Sequence, residues 1–150
     1  MFKKIKSIFK DVHNTSTAFA ADDHRTAIAA LLVHVMAIDG LVSKSERTKL
    51  KSLLQNSFAL SDEETTQLIA EAERQDNESV DLYNFTSLIK RSLDDAGRLR
   101  LIEMLWEMTL ADGSIDEFEN SIVKRIADLI GVEPRTRVHL RQKAQAAGND

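Results

Sequence analysis

Two eight-residue frames constrain what this chain can fold into. "DGLVSKSE" (Asp39 to Glu46) and "DGSIDEFE" (Asp112 to Glu119) each hold an Asp-Gly, an aliphatic residue two places after the Gly, and a Glu six places after it. All four positions coincide at one offset of 73, with Val42 falling on Ile115. Each frame follows a stretch dense in apolar residues: Ala27 to Ile38 in the first case, Leu99 to Ala111 in the second, which carries the only Trp. A surface helix is apolar on one stripe only, so helices this apolar must be enclosed by others. After each frame comes an amphipathic pattern, Leu50, Leu53 and Leu54, then Ile122, Ile126 and Leu129. Leu32 also falls on Leu105, Leu50 on Val123 and Leu53 on Ile126. The expectation is an internal two-fold repeat of helical hairpins.

The remaining segments fill in the same architecture. Helices are expected at Ser61 to Arg74, where Ser61 and Glu64 have capping-box spacing, and at Glu78 to Ser92. The last helix is expected from Pro134, a residue suited to the first helical position. Phe58 to Leu60 and Gly131 to Val132 each end a helix. With one Pro, five Gly and few β-branched or aromatic residues, there is little from which to build strands. The reading is an all-α, single-domain bundle of seven to eight helices over residues 21–147. Residues 1–20 are read as an N-terminal amphipathic basic helix (Phe2, Ile5, Phe9 and Val12 among Lys3, Lys4, Lys6 and Lys10) and a polar linker. Asp22 or Asp23 is placed to cap the first enclosed helix.

Composition removes several functions. A formal charge of −4, with no Lys/Arg cluster beyond the first ten residues, argues against a nucleic-acid partner. Without Cys there is no disulfide, thiolate metal site or thiol redox chemistry, and a reducing, cytoplasmic setting is expected. No export signal or stretch of membrane-spanning length is present, although residues 2–12 suit contact with an anionic membrane face as well as docking on the domain's own core. No Ser/His/Asp set or Gly-rich phosphate loop stands out. His34 reads as structural. Glu103 and Glu107 share a helix face and are expected to pair with Arg98 or Arg100 rather than to act as acid and base. The chain is not expected to be an enzyme.

The repeated frame divides by residue. Gly40 and Gly113 sit where a left-handed residue closes a helix. Ser43 with Glu46, and Asp116 with Glu119, have the spacing of capping boxes. Asp39 and Asp112 remain, each an acid at the negative end of a helix dipole. Beside an EF-hand loop, the Asp takes position 5, the Gly position 6, the aliphatic residue position 8 and the Glu position 12. Positions 1 and 3 then fall on Val35 and Ala37, or on Met108 and Leu110, and none of these offers a side-chain oxygen. The loops are therefore not EF-hands. Each still presents an Asp, a Glu, a backbone carbonyl near Leu41 or Ser114 and a Ser43 or Asp116 oxygen, a donor set for weak binding of Ca²⁺ or Mg²⁺. The metal candidates are Asp39, Glu46, Asp112 and Glu119, with Asp116 as a further donor, and the second loop is the richer. In the alternative reading both loops act only as helix caps on a metal-independent protein-interaction scaffold.

The apolar helix into "AIDGLVSKSE", then "VDLYNFT", "RLRLIEMLWEMTLADGSIDEFE" and "IADLIGV", resembles the TerB-like family of tellurite resistance across nearly the whole chain. The resemblance implies a bundle of about seven helices with internal pseudo-symmetry and a metal site at Asp39, Glu46, Asp112 and Glu119, with Ser43 replacing the family's usual acid. It further implies a small cytoplasmic adaptor, peripheral to the inner face of the membrane, working with protein partners in a stress-response assembly. Tellurite chemistry commonly runs through thiols, so direct reduction or capture by this Cys-free chain is not expected.

Overall fold

The computed structural model describes residues 23–38, 43–78, 82–111 and 117–148. Among them are seven α-helices and no strand: α1 (His24–Ala37), α2 (Lys44–Phe58), α3 (Asp62–Glu78), α4 (Tyr83–Ser92), α5 (Asp95–Thr109), α6 (Glu117–Ile130) and α7 (Pro134–Gly148). The all-α expectation therefore holds. The amphipathic segment expected at residues 1–20 lies outside the described residues, as do Asp39, Gly40, Leu41 and Val42 and the whole stretch from Asp112 to Asp116.

Helix α1 is central because its sequence leaves it no polar face. Ile28, Ala29, Ala30 and Leu31, four consecutive residues that together go round the helix, are all fully buried. It packs against α2, α3, α4, α5 and α6. Helix α5 is the second axis, with Leu101, Ile102, Met104, Leu105 and Trp106 enclosed, and it packs against α1, α2, α6 and α7. In the first half α1 packs on α2 and α3, which also pack on each other. In the second half α5 stands in the same relation to α6 and α7.

Helix ends follow local chemistry. Asp23 caps α1 by accepting from the Arg25 backbone N–H at 2.8 Å, a choice the sequence left open between Asp22 and Asp23. Asp94, which was not foreseen as a cap, starts α5 by accepting from Gly97 N–H at 2.9 Å. Ser61 and Glu64 form the expected capping box: Glu64 N–H donates to Ser61 Oγ at 3.1 Å, and Ser61 N–H donates to Glu64 Oε1 at 2.9 Å. Two boundaries differ from expectation. Helix α3 runs on to Glu78 because no Gly or Pro stands after Arg74 to stop it, and α4 starts only at Tyr83. Both α2 and α6 end in a left-handed residue, Ala59 (φ 54°) and Gly131 (φ 86°). In each, an amide beyond the helix reaches back, Leu60 N–H to Gln55 O at 3.0 Å and Val132 N–H to Ala127 O at 2.8 Å, as in a Schellman closure.

Candidate metal centre

Glu46 is the third residue of α2 and Glu119 the third of α6. Their depth comes from helical spacing. Glu46 heads the inward stripe that continues through Leu50, Leu53 and Leu54, and Glu119 heads the stripe of Val123, Ile126 and Ile130, positions one, two and three turns further on. Both carboxylates are consequently buried, Glu46 at 3 % exposure and Glu119 at 4 %.

The cap at Ser43 is formed. Glu46 N–H donates to Ser43 Oγ at 3.0 Å, and the Ser43 hydroxyl donates to Glu46 Oε1 at 3.2 Å. The second carboxylate oxygen of Glu46 is buried and has no hydrogen-bond partner among the described residues. Ser61 and Glu64 have the same spacing, yet their box lies at the exposed surface. Helix capping thus accounts for one oxygen of Glu46 and not for the burial of the other. A carboxylate held in the interior without compensation is costly, by several kcal/mol in the general case, and a divalent cation supplies compensation of the right sign.

Of the residues named from the sequence, Glu46 and Glu119 are the two described. Asp39, Asp112 and Asp116 lie outside the described residues, as do Gly40 and Gly113. Helices α1 and α5 do end where the Asp-Gly pairs predicted, at Ala37 and Thr109. Among the described residues no three or more His, Asp or Glu side chains gather so as to hold a metal. The described part of each loop therefore brings one buried Glu, and any further donors come from the loop itself.

The other charged residues on the central helices form ion pairs within the fold. Arg100 Nη1 lies 2.8 Å from Glu107 Oε2 and 3.7 Å from Glu103 Oε1, while Lys143 Nζ reaches Glu103 Oε2 at 3.3 Å. Of the two Arg partners expected from the sequence, Arg100 takes the role, and Arg98 pairs with Asp95 at 2.7 Å instead. His34 Nδ1 lies 2.8 Å from Asp76 Oδ1 and so ties α1 to α3. That partner was not visible in the sequence, because the two residues are 42 positions apart and share no motif.

At the start of α1, burial pushes the Asp23 carboxyl up, but the Arg25 side-chain and backbone hydrogen bonds, with the charges of Arg25 and His24, hold it below the ordinary carboxylate value. The Arg25 guanidinium grips it with Nε at 3.1 Å from Oδ1 and Nη2 at 2.7 Å from Oδ2. On α3, hydrogen bonds from Arg74 and then Gln75 lower the Glu71 carboxyl.

The family model described as "Tellurite resistance protein TerB" matches residues 25–142, from the start of α1 into α7. The chain belongs to the TerB family. No curated protein and no solved structure matches it. Membership ties the chain to the tellurite-resistance group, and the all-helical TerB bundle is the fold described above. No helix among the described residues is long and apolar enough to cross a membrane.

Proposed function

We propose that this TerB protein is a small, non-enzymatic module that binds a divalent cation, Ca²⁺ or Mg²⁺, at the two Asp-Gly loops and serves as an adaptor in a tellurite-resistance or stress response. The observation that carries this reading is the buried Glu46 oxygen without a hydrogen-bond partner among the described residues, at the one position of the loop that matches the bidentate Glu of a calcium loop. Glu119, buried at the matching position of α6, extends the reading to the second loop. Asp39, Asp112 and Asp116 supply the remaining acidic donors, with backbone carbonyls and water completing the shell. The two helix triplets, with matched packing and frames at an offset of 73, support a duplicated hairpin unit with one site per half. Protein partners are those of a stress-response assembly. The module works in the cytoplasm, at the inner membrane face where residues 2–12 make contact.

The test is a titration of the chelator-treated full chain with Ca²⁺ and with Mg²⁺, followed by amide NMR. Signals around Gly40 and Gly113 shift on binding, Glu46→Gln abolishes the first set and Asp112→Asn the second. Absence of any shift at millimolar metal sinks the proposal. A metal-independent scaffold is the second reading, favoured by the Ser43 cap bonds, which give Ser43 and one Glu46 oxygen a purely structural role. On that reading Glu119→Ala lowers thermal stability equally with and without metal.

A further inference from the structure

Helices α3 and α7 hold the same place in the two triplets, yet their charges are opposite. Seven acidic residues and one Arg make up the charged set of α3, whereas α7 carries Arg135, Arg137, Arg141 and Lys143 and no acid. Part of the basic set is used within the fold: Arg141 lies 5.9 Å over the Trp106 ring, and Lys143 pairs with Glu103. Arg135, exposed, and Arg137, half-buried with its Nε enclosed, stand in the first turns of α7 and form no ion pair with any described residue. Cations at the positive end of a helix dipole are unfavourable, and that turn holds no acidic residue to offset them. Beside them Val138 is 40 % exposed. The start of α3 is the complement, with Asp62, Glu63 and Glu64 in its first turn: Asp62, 3.9 Å from Lys51, stays largely exposed, Glu64 closes the Ser61 box, and Glu63 is exposed without an ion pair among the described residues.

We propose that the first turns of α7 dock against the start of α3 of a second copy of this chain, Arg135 and Arg137 facing Asp62 and Glu63 with Val138 in the contact. Helix α3 packs on α1 and α2, and α7 on α5 and α6, so one molecule presents both surfaces. A contact between two different surfaces is heterologous, and it extends head to tail unless its rotation closes a ring. The association is electrostatic and therefore sensitive to salt.

The test is sedimentation velocity of the full chain over a range of concentrations at low ionic strength. The weight-average sedimentation coefficient rises with concentration, and it returns to that of the monomer at about 1 M NaCl, where the Debye length is about 3 Å. Reversing α7 (Arg135→Glu with Arg137→Glu) leaves two acidic surfaces, and reversing α3 (Asp62→Lys with Glu63→Lys) leaves two basic ones. Each variant alone is monomeric, and an equimolar mixture associates at least tenfold more tightly than either. Circular dichroism checks that the variants are folded, and the single change Arg135→Glu, at an exposed position, is the milder arm that weakens association in the same direction. The proposal is overturned by a wild-type chain that is monomeric at every concentration, by association that ignores salt or survives either reversal, or by a mixture that stays monomeric. Binding of a monomeric wild-type chain to anionic lipid vesicles through Arg135 and Arg137 overturns it as well.

Discussion

The Ser43 hydroxyl is shared between a backbone donor and a buried carboxylate: it accepts from Glu46 N–H at 3.0 Å and donates to Glu46 Oε1 at 3.2 Å. Loss of that hydroxyl removes the cap of α2 and strips a partner from a carboxylate whose other oxygen has none among the described residues. Ser61 caps α3 at the surface, where water replaces what the mutation removes. Ser43→Ala is therefore expected to cost about 2 kcal/mol and Ser61→Ala about 1 kcal/mol, measured by urea unfolding of the metal-free protein. Equal costs would show that the burial of Glu46 adds nothing to an ordinary cap.

A second prediction concerns pH. In the folded chain the Arg25 bonds hold the Asp23 carboxyl below its ordinary value, which is about 3.9 in an unfolded chain. A depressed carboxylate stabilises the fold above its unfolded value, and that stabilisation is lost as pH falls through the lower folded value. Asn also caps helices well, so Asp23→Asn tests the charge rather than the cap. The melting temperature of the variant is expected to lie below wild type at pH 7, with the gap closing below about pH 4. A gap that is constant with pH contradicts the role given to the Arg25 pair.

How much of this was legible beforehand varied with the range of the interaction. The Asp-Gly pairs marked the ends of α1 and α5, and the density of apolar residues identified them as the central helices, because enclosure is visible as the loss of a polar face. Pro134 and the Ser61 box likewise act within one turn. The start of α4 falls at Tyr83 and not at the expected Glu78, because no strong stop or start signal separates it from α3 and Leu82 gives α4 no side-chain cap. Asp94 does carry a local signal, an Asp in N-cap position ahead of an apolar run. The Asp76 partner of His34 depends on how α1 meets α3, which no local pattern encodes. Capping-box spacing placed Glu46 and Glu64 alike. What separates them is the stripe through Leu50 and Leu53, which turns Glu46 inward.

The only Trp is also a reporter of the core. Trp106 is fully buried on α5 with Arg141 over its ring. Truncation to Ala is expected to cost about 3–5 kcal/mol, enough to unfold a marginally stable domain. Arg141→Ala removes an interaction worth about 0.5–2 kcal/mol and leaves the indole in place, so its native fluorescence maximum stays short in wavelength while the unfolding midpoint falls. A native emission maximum shifted toward that of exposed Trp would mean that Arg141 shields the ring instead of resting on it.

The closure of α2 offers a gain in stability. Ala59 takes φ 54° to end the helix, where the corresponding closure of α6 uses Gly131 at φ 86°. For an L-residue with a Cβ the left-handed conformation costs roughly 1–2 kcal/mol, and Gly adopts it freely. Gly also loses more backbone entropy on folding, which takes back part of the gain. Ala59 is exposed, so removal of its methyl opens no cavity. Ala59→Gly is expected to stabilise the protein by about 0.5–1 kcal/mol, read as a higher urea midpoint with an unchanged slope. The reverse change at the other closure, Gly131→Ala, meets no atom within 4 Å of the added Cβ, so its cost is that of the backbone conformation alone. It is expected to lower stability by about 1 kcal/mol. Opposite signs for the two substitutions identify the left-handed backbone as the cause, whereas a loss in both would place a side-chain contact of Ala59 above its strain.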